Sequence, residues 1–535
     1  MAFTSKMKFS SLLVLICFAT IFLSIEACHE TDKAALLDFK SKINQDPTKL
    51  LQTWNQSTDC CTQWEGVACD SNGRVVNLTR PGLFSTDDSI FDTFMNGTIS
   101  PSLGNLEFLE FLDLSNLKQL TGSIPSELGK LSHLTALFID TNQLSGPIPA
   151  SFQNLTKLIR LYVSDNLLSG SVPSIFQHMS SLSELGLFNN QLSGGIPSSV
   201  SQLVSLTKLD IHGNRFSGGI PSTIGSLKKL ITLDLSENQL TGSIPQSIGE
   251  LSKLNLLYLY QNRLSGSIPS SISGLTSLQF MRLSDNKLTG SLPSSIGKIP
   301  LRRLILENNL LAGELPASLG NLTDLNSMYL KNNRFTGKIP SSLSNLVNLL
   351  DLDLSRNGLS GPIPSQLATL NLQILDLSFN PLNLVSIPTW ISNVNTLQRL
   401  YLARTGITGE LPQWLSGMSL TYLDVSSNML AGDLPTWLGN MTSLYSLNVS
   451  TNGFHSSIPA GLENLSGLGE LDLHMNNFTG SIPSGVINLA NLEIFDVSKN
   501  KLTGEIPVHG KAFPASSFEG NSGLCGSPLS PCKTA

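Results

Sequence analysis

Charge is what this sequence has least of. Its 535 residues include 33 Lys+Arg and 39 Asp+Glu, 13% together, against roughly 25% in an ordinary soluble domain. Hydrophobic residues remain at 40%, so uncharged polar residues have replaced the charge, and a disordered chain is excluded. A net charge of −6 with no basic block argues against a nucleic-acid partner. Beyond the N-terminus no apolar run reaches the ~18 residues of a membrane span. Catalytic signatures are missing too: there is no HExxH, GxxxxGK[ST], GxSxG or CxxC. His212 and His474 lie beside Asp210 and Asp472 at outward strand positions and are read as solvated side chains. No catalysis, cofactor or metal is expected. Cysteine is absent from the whole middle of the chain.

The ends differ from the middle. Residues 1–27 read as a secretory signal, with Lys6 and Lys8, an apolar stretch from Leu12 to Ile25, and Ala27 at a plausible cut. Cys17 leaves with it. The remaining six cysteines are Cys28, Cys60, Cys61 and Cys69, then Cys525 and Cys532. In an oxidising compartment they read as terminal staples, and no histidine lies at zinc-ligand spacing from them. Cys525 is expected to pair with Cys532, whereas the other four allow three connectivities.

What fills the middle is a repeat. An Ile/Leu/Val-Pro step recurs from Pro125 to Pro507 in sixteen intervals, fourteen of 24 residues and two of 23. Between prolines runs LxxLxLxxNxLxGxIP, as from Leu230 through Leu233, Leu235, Asn238 and Gly242 to Pro245. A period of 20–29 residues with this spacing is the leucine-rich repeat. Leu233 and Leu235, two apart, point inward from one short strand while Asp234 points out. The Asn at the turn can bond backbone groups that the bend leaves unpaired. One repeat cannot bury its own apolar face, so neighbours must stack. The expected fold is an α/β solenoid, a right-handed superhelix with short parallel strands on the concave face, an arc of roughly 80 Å, and disulfide-capped ends. The expected divisions are a signal at 1–27, an N-terminal cap at 28–72, about 18 repeats over 73–508, and a C-terminal cap at 509–535.

The Leu-x-Gly-x-Ile-Pro variant resembles the plant extracellular subclass of leucine-rich repeats. The segment from Asp32 to Lys40, with Trp54, Cys60, Cys61 and Trp64 to Cys69, resembles that subclass's N-terminal cap. Phe518 to Cys532 resembles the C-terminal cap of plant receptor kinases and receptor-like proteins. The likeness is nearest to the secreted DNA-damage-repair/toleration-like group, with polygalacturonase-inhibiting proteins and receptor ectodomains as wider kin. It implies the pairings Cys28–Cys60 and Cys61–Cys69, and recognition at the cell surface, apoplast or wall in defence or development. It implies no ligand, because the fold serves many partners. With three residues after Cys532, no membrane span, kinase or lipid-anchor tail is expected. The repeat is interrupted at Asn380–Ser386, which lacks the Gly, and at Thr405, which takes an Asn slot. Leu83 to Asn96 forms an expanded loop, either a contact site or a variable surface loop.

All seven tyrosines fall at outward strand positions. Tyr and Arg dominate interface energetics, so the expected ligand-binding face comprises Phe138, Tyr162, Phe188, Tyr258, Tyr260, Arg282, Tyr329, Lys331, Arg356, Tyr401 and Arg404. Cross-strand stacking without a ligand is the alternative. Nine sequons occur, at Asn55, Asn77, Asn96, Asn154, Asn321, Asn440, Asn448, Asn464 and Asn477. Asn448 lies in the middle concave column, so the open window runs from about Phe138 to Arg404. Trp390, Trp414 and Trp437 share one slot after Pro in successive repeats, a packing ladder or a second contact for a co-receptor. The expected function is binding of an extracellular protein, peptide or wall fragment. The rivals are inhibition of a microbial wall-degrading enzyme such as polygalacturonase, and a receptor-like subunit acting through a separate receptor kinase.

Overall fold

The computed structural model describes residues 27–83 and 93–532. Residues 1–26 of the expected signal and most of the Leu83–Asn96 loop lie outside the described residues. Among these, one sheet holds nineteen strands. Its first strand, Val67–Cys69, pairs antiparallel with Val75–Thr79; every later pairing is parallel and advances one repeat, ending at Ile494–Asp496. The two end strands do not meet, so the sheet is an open arc. Register is kept throughout: Asp234 faces Tyr258, and Tyr258 faces Arg282. Outward side chains therefore line up in columns, and what one repeat presents lies a strand spacing from the next, about 4.8 Å.

The consensus leucines form a continuous core. Leu254, Leu257, Leu259, Leu264, Ile268 and Ile272 of one repeat are all buried to within 2%. After most of these prolines the chain makes a single 3-10 turn, such as Gln246–Glu250 and Ser270–Gly274, and after Pro483 a short α-helix, Ser484–Ile487. These turns pack closely, since a Cβ on Gly249 would lie 2.0 Å from the Ser271 carbonyl oxygen. A second layer of strands, two to five residues long, also forms at the Leu-x-Gly positions, for example Leu167–Ser171 beside Gln191–Gly195, which the period alone does not announce. Gly194, at φ 79°, lets the chain leave that second layer toward the Ile-Pro step.

The Asn ladder binds repeat to repeat. Asn262 Nδ2 donates to the carbonyls of Leu235, Leu259 and Tyr260 at 2.9, 3.2 and 3.3 Å, while Oδ1 accepts from Leu240 N–H at 2.9 Å. Two of those groups belong to the preceding repeat, so one buried amide closes two turns at once. At Thr405 the hydroxyl reaches only Leu402 O (2.8 Å). Asn428 compensates, its Oδ1 accepting from the N–H groups of Thr405, Gly406 and Ile407 at 3.0, 2.9 and 3.0 Å.

Both ends of the core are covered. Helix Glu30–Ser41 buries Ala35, Leu36 and Phe39, and Trp54 stacks on Trp64 at 5.3 Å. Asp32, fully buried, accepts from Arg74 Nε and Nη2 (3.0 and 2.9 Å) and from Val75 N–H (2.9 Å). The other end is closed by Phe495, Phe513 and Phe518. Disulfides join Cys28 to Cys60, Cys61 to Cys69 and Cys525 to Cys532. Because Cys28–Cys60 spans 32 residues of the segment that seals the core, replacing both cysteines by serine is expected to cost about 3 kcal/mol. Thermal melts with and without reductant measure it.

Candidate functional site

The concave columns gather the aromatic and cationic side chains into three groups. In the first, Phe111, Phe138 and Tyr162 step across adjacent strands at 5.5 and 5.6 Å. Arg160 lies 5.6 Å over Phe138, Lys208 lies 5.4 Å over Tyr162, and Tyr162 donates to Glu184 Oε2 at 2.7 Å. Tyr162 can lie down on the sheet because its neighbour is Gly186, where a Cβ would meet the ring at 2.5 Å. In the middle group, Tyr258 and Tyr260 meet edge to face at 6.0 Å and the Arg282 guanidinium sits 3.8 Å over Tyr260. Tyr260 donates to Glu237 at 3.0 Å. The third group is a staircase, Tyr401 to Tyr422 to Tyr445, at 6.4 and 5.5 Å, with Arg399 over Tyr422 at 4.7 Å. None of the seven tyrosines is buried. Phe111, Arg160, Lys208, Arg399, Tyr422 and Tyr445 complete these groups and were not among the residues expected to bind. The signal that finds Arg160 and Arg399 is their place two residues before Tyr162 and Tyr401 on the same strand.

Other expected residues sit differently. Tyr329 donates to Asp351 at 3.0 Å, and Lys331 lies near Glu307 and Asp376. Arg356 and Arg404 stand at the rim where strands turn, with φ 53° and 51°, not in the sheet itself. Phe188 stacks on His212 at 4.8 Å, 6° from parallel. This corrects the reading of His212 as solvated. Its Nδ1 is 2.7 Å from Asp210 Oδ1 and 3.9 Å from Asp234 Oδ2, and the Asp210 hydrogen bond raises its pKa. His474 repeats the contact with Asp472 at 2.7 Å. Ring stacking and a partly covered carboxylate bring the imidazole in; spacing alone could not show Phe188 above it.

Burial governs the titration of this face. It raises the Tyr329 and Tyr401 hydroxyls to about 12, so both stay protonated donors. It pushes Asp376 up to about 6, helped by Asp353, and Asp140 up to about 6, helped by Asp113 and Asp165. For a carboxyl raised in the folded state, the ionised form opposes folding, so stability falls as pH rises through about 4 to 6. Asp376→Asn is therefore expected to stabilise the protein at pH 7.5, by about 1 kcal/mol after solvent screening, and to be neutral at pH 4. Melts at the two pH values check the sign.

Asn154, Asn321, Asn440 and Asn464 are exposed at the ends of 3-10 turns on the return path. Asn55 is exposed in the N-terminal cap, and Asn77, Asn96 and Asn477 are half-buried. Asn448 lies on the sheet with Oδ1 accepting from Ser450 N–H and Oγ at 3.0 and 2.7 Å. It adjoins Asp424 in the strand next to Tyr422. Trp390, Trp414 and Trp437 are half-buried and pack on the core from three successive turns.

The sequence places this architecture among known proteins. Residues 29–70 match the leucine rich repeat N-terminal domain, residues 94–217 a leucine-rich repeat region, residues 204–264 a leucine rich repeat family, and seven segments between 277 and 489 single leucine rich repeats. The DNA damage-repair/toleration protein DRT100 of Arabidopsis thaliana is 34% identical over 25% of this chain and 37% of its own length. A polygalacturonase inhibitor of Vitis vinifera is 38% identical over 20% of this chain and 29% of its own. The chain thus spans about a third of the length of these curated relatives. Among solved structures, the plant peptide hormone receptor RGFR1 in complex with RGF2 superposes with a TM-score of 0.61 at 30% identity, covering 81% of each chain. The LRR ectodomain of the Arabidopsis receptor kinase HAESA, with an IDA peptide hormone ligand, superposes at 0.67 and 28% identity, over 94% of this chain and 99% of that one. These relatives include an inhibitor and receptor ectodomains, and no described helix is long and apolar enough to cross a membrane. With its N-terminal cap, repeat and paired terminal cysteines, the chain belongs to the plant extracellular leucine-rich-repeat proteins.

Proposed function

We propose that this is a secreted plant recognition protein that binds a protein or peptide ligand on its concave sheet, in defence or developmental signalling. The observation that carries the reading is the middle group, where Tyr258, Tyr260 and Arg282 lie half-exposed at the centre of the arc. Aromatic and Arg side chains already held in place lose little entropy on binding. In this reading residues 28–72 and 509–535 serve as caps, and a glycan on Asn448 bounds the binding window near Arg404. The sheet relatives in complex with peptide hormones favour a peptide over a wall fragment. The test is affinity capture from plant extracellular fluid on the immobilised protein, with the captured ligand identified by mass spectrometry. Retention that is lost with Tyr258→Ala/Arg282→Glu supports the reading; equal retention by that variant contradicts it.

A second reading, inhibition of a microbial polygalacturonase, follows from the relatives so named. Adding the protein to a fungal polygalacturonase assay separates the two, since a hormone-type binder leaves the rate unchanged. The tryptophan ladder is read as packing that also offers a flank to a co-receptor. Replacing Trp390, Trp414 and Trp437 by Leu, which preserves apolar contact, is expected to keep the melting temperature within a few degrees and to weaken receptor-kinase association at least tenfold in a pull-down.

A further inference from the structure

The interruption of the repeat builds a site of its own. From Asn380 to Ser386 the chain lacks the Leu-x-Gly step, and no second-layer strand forms between Gly358–Leu359 and Thr408–Gly409. The rim is recessed there into a pocket of about 580 Å³, walled by Arg356, Phe379, Asn383, Arg404 and Met429, among others. Arg356, Phe379 and Arg404 occupy the same left-handed rim position in three successive repeats, at φ 53°, 57° and 51°. Elsewhere this position is mostly uncharged, as at Thr141, Gln261 and Asn332, with acids at Asp165, Glu237 and Asp285 and a cation at Lys499; Asp165 and Asp285 accept from Asn189 and Asn308 at 2.8 Å. At the interruption two arginines flank Phe379.

Neither guanidinium has an ion pair among the described residues, and no Asp or Glu lines the pocket. Arg356 instead lies 4.1 Å over the Phe379 ring, which fixes its plane and leaves its edge donors open. One face of Phe379 is thereby occupied. Met429, 62% exposed, adds an apolar contact, and the Asn383 side chain offers amide hydrogen bonding to a peptide backbone.

We infer that this pocket binds an acidic peptide segment through two carboxylates, one on Arg356 and one on Arg404. The two arginines are two strand spacings apart, about 10 Å. In a polyproline II segment, with three residues per turn and a rise of about 3.1 Å, acids at i and i+3 share one face about 9 Å apart. A segment of the type Glu-x-x-Glu in that conformation matches the pair. The inference rests on the recognition function proposed above and names a second, charge-selective contact at the edge of the same face.

The probe is a fluorescent Glu-Pro-Pro-Glu peptide with blocked ends, titrated by polarisation against the whole protein at low salt, beside its Gln-Pro-Pro-Gln counterpart and trigalacturonic acid. Saturable binding is expected for the Glu peptide alone. Each of Arg356→Gln and Arg404→Gln should weaken it at least threefold and the double variant at least tenfold, with circular dichroism and melting temperature unchanged. Equal binding of the Gln peptide, binding of trigalacturonic acid in its place, no binding at all, or full binding by the folded double variant each overturns the inference. Tyr258→Ala/Arg282→Glu should leave the peptide titration unchanged. If the pocket fails while that variant still loses its captured ligand, only the pocket assignment falls; the reverse pattern removes only the sheet reading.

Discussion

Asn262→Leu is expected to destabilise the protein by about 3 kcal/mol. The substitution fits the apolar surroundings in volume but removes an amide that serves four backbone groups, among them Leu235 O and Leu240 N–H of the preceding repeat. Buried carbonyl and amide groups left without partners cost about 1–3 kcal/mol each, and relaxation recovers part of it. Asn428→Leu should cost more, because its Oδ1 alone accepts from three consecutive N–H groups across the Thr405 interruption. Hydrogen exchange can localise the loss. In a stacked array stability is the sum of repeats and interfaces, so protection should fall most between residues 380 and 430 for the second variant. A uniform fall along the chain would contradict a ladder that couples neighbours only.

The second large effect concerns binding. Tyr258→Ala combined with Arg282→Glu is expected to weaken the captured ligand by about a hundredfold or more, as loss of two central hot-spot side chains commonly does. Arg282 also lies 3.8 Å over Tyr260, so reversing its charge removes the cation from the ring and leaves Tyr260 beside Glu237. Fold should survive, because neither side chain is in the core. Equilibrium binding by surface plasmon resonance gives the ratio, and a change below threefold would show that the ligand sits elsewhere.

The solenoid was legible in the sequence because its determinants are local and repeated. Leu233 and Leu235 set a strand, Asn238 a turn and Pro245 an exit, and the same tokens recur at 24 residues. The Leu-x-Gly strands were less visible, since two-residue pairings such as Gln239–Leu240 against Ser217–Gly218 depend on the stacking itself. At the site, column position was readable from spacing, so the tyrosines fell on the face as expected. What the columns do to one another was not. Phe188 over His212, Arg356 over Phe379, and Tyr162 lying across Gly186 join residues one repeat apart, and sequence spacing does not say which rotamer each adopts. The pocket at Asn380–Ser386 was visible only as missing consensus residues, and its cationic wall required the rim column to be seen side by side.

The central claim is that partners are taken on the concave sheet. It is tested most directly by site-specific photo-cross-linking, with a photoreactive phenylalanine placed in turn at Tyr258, at Tyr401 and at the exposed return-path residue Gln153. Ligand adducts at the two sheet positions and none at position 153 are predicted; adducts at position 153 alone, or at all three equally, would contradict it.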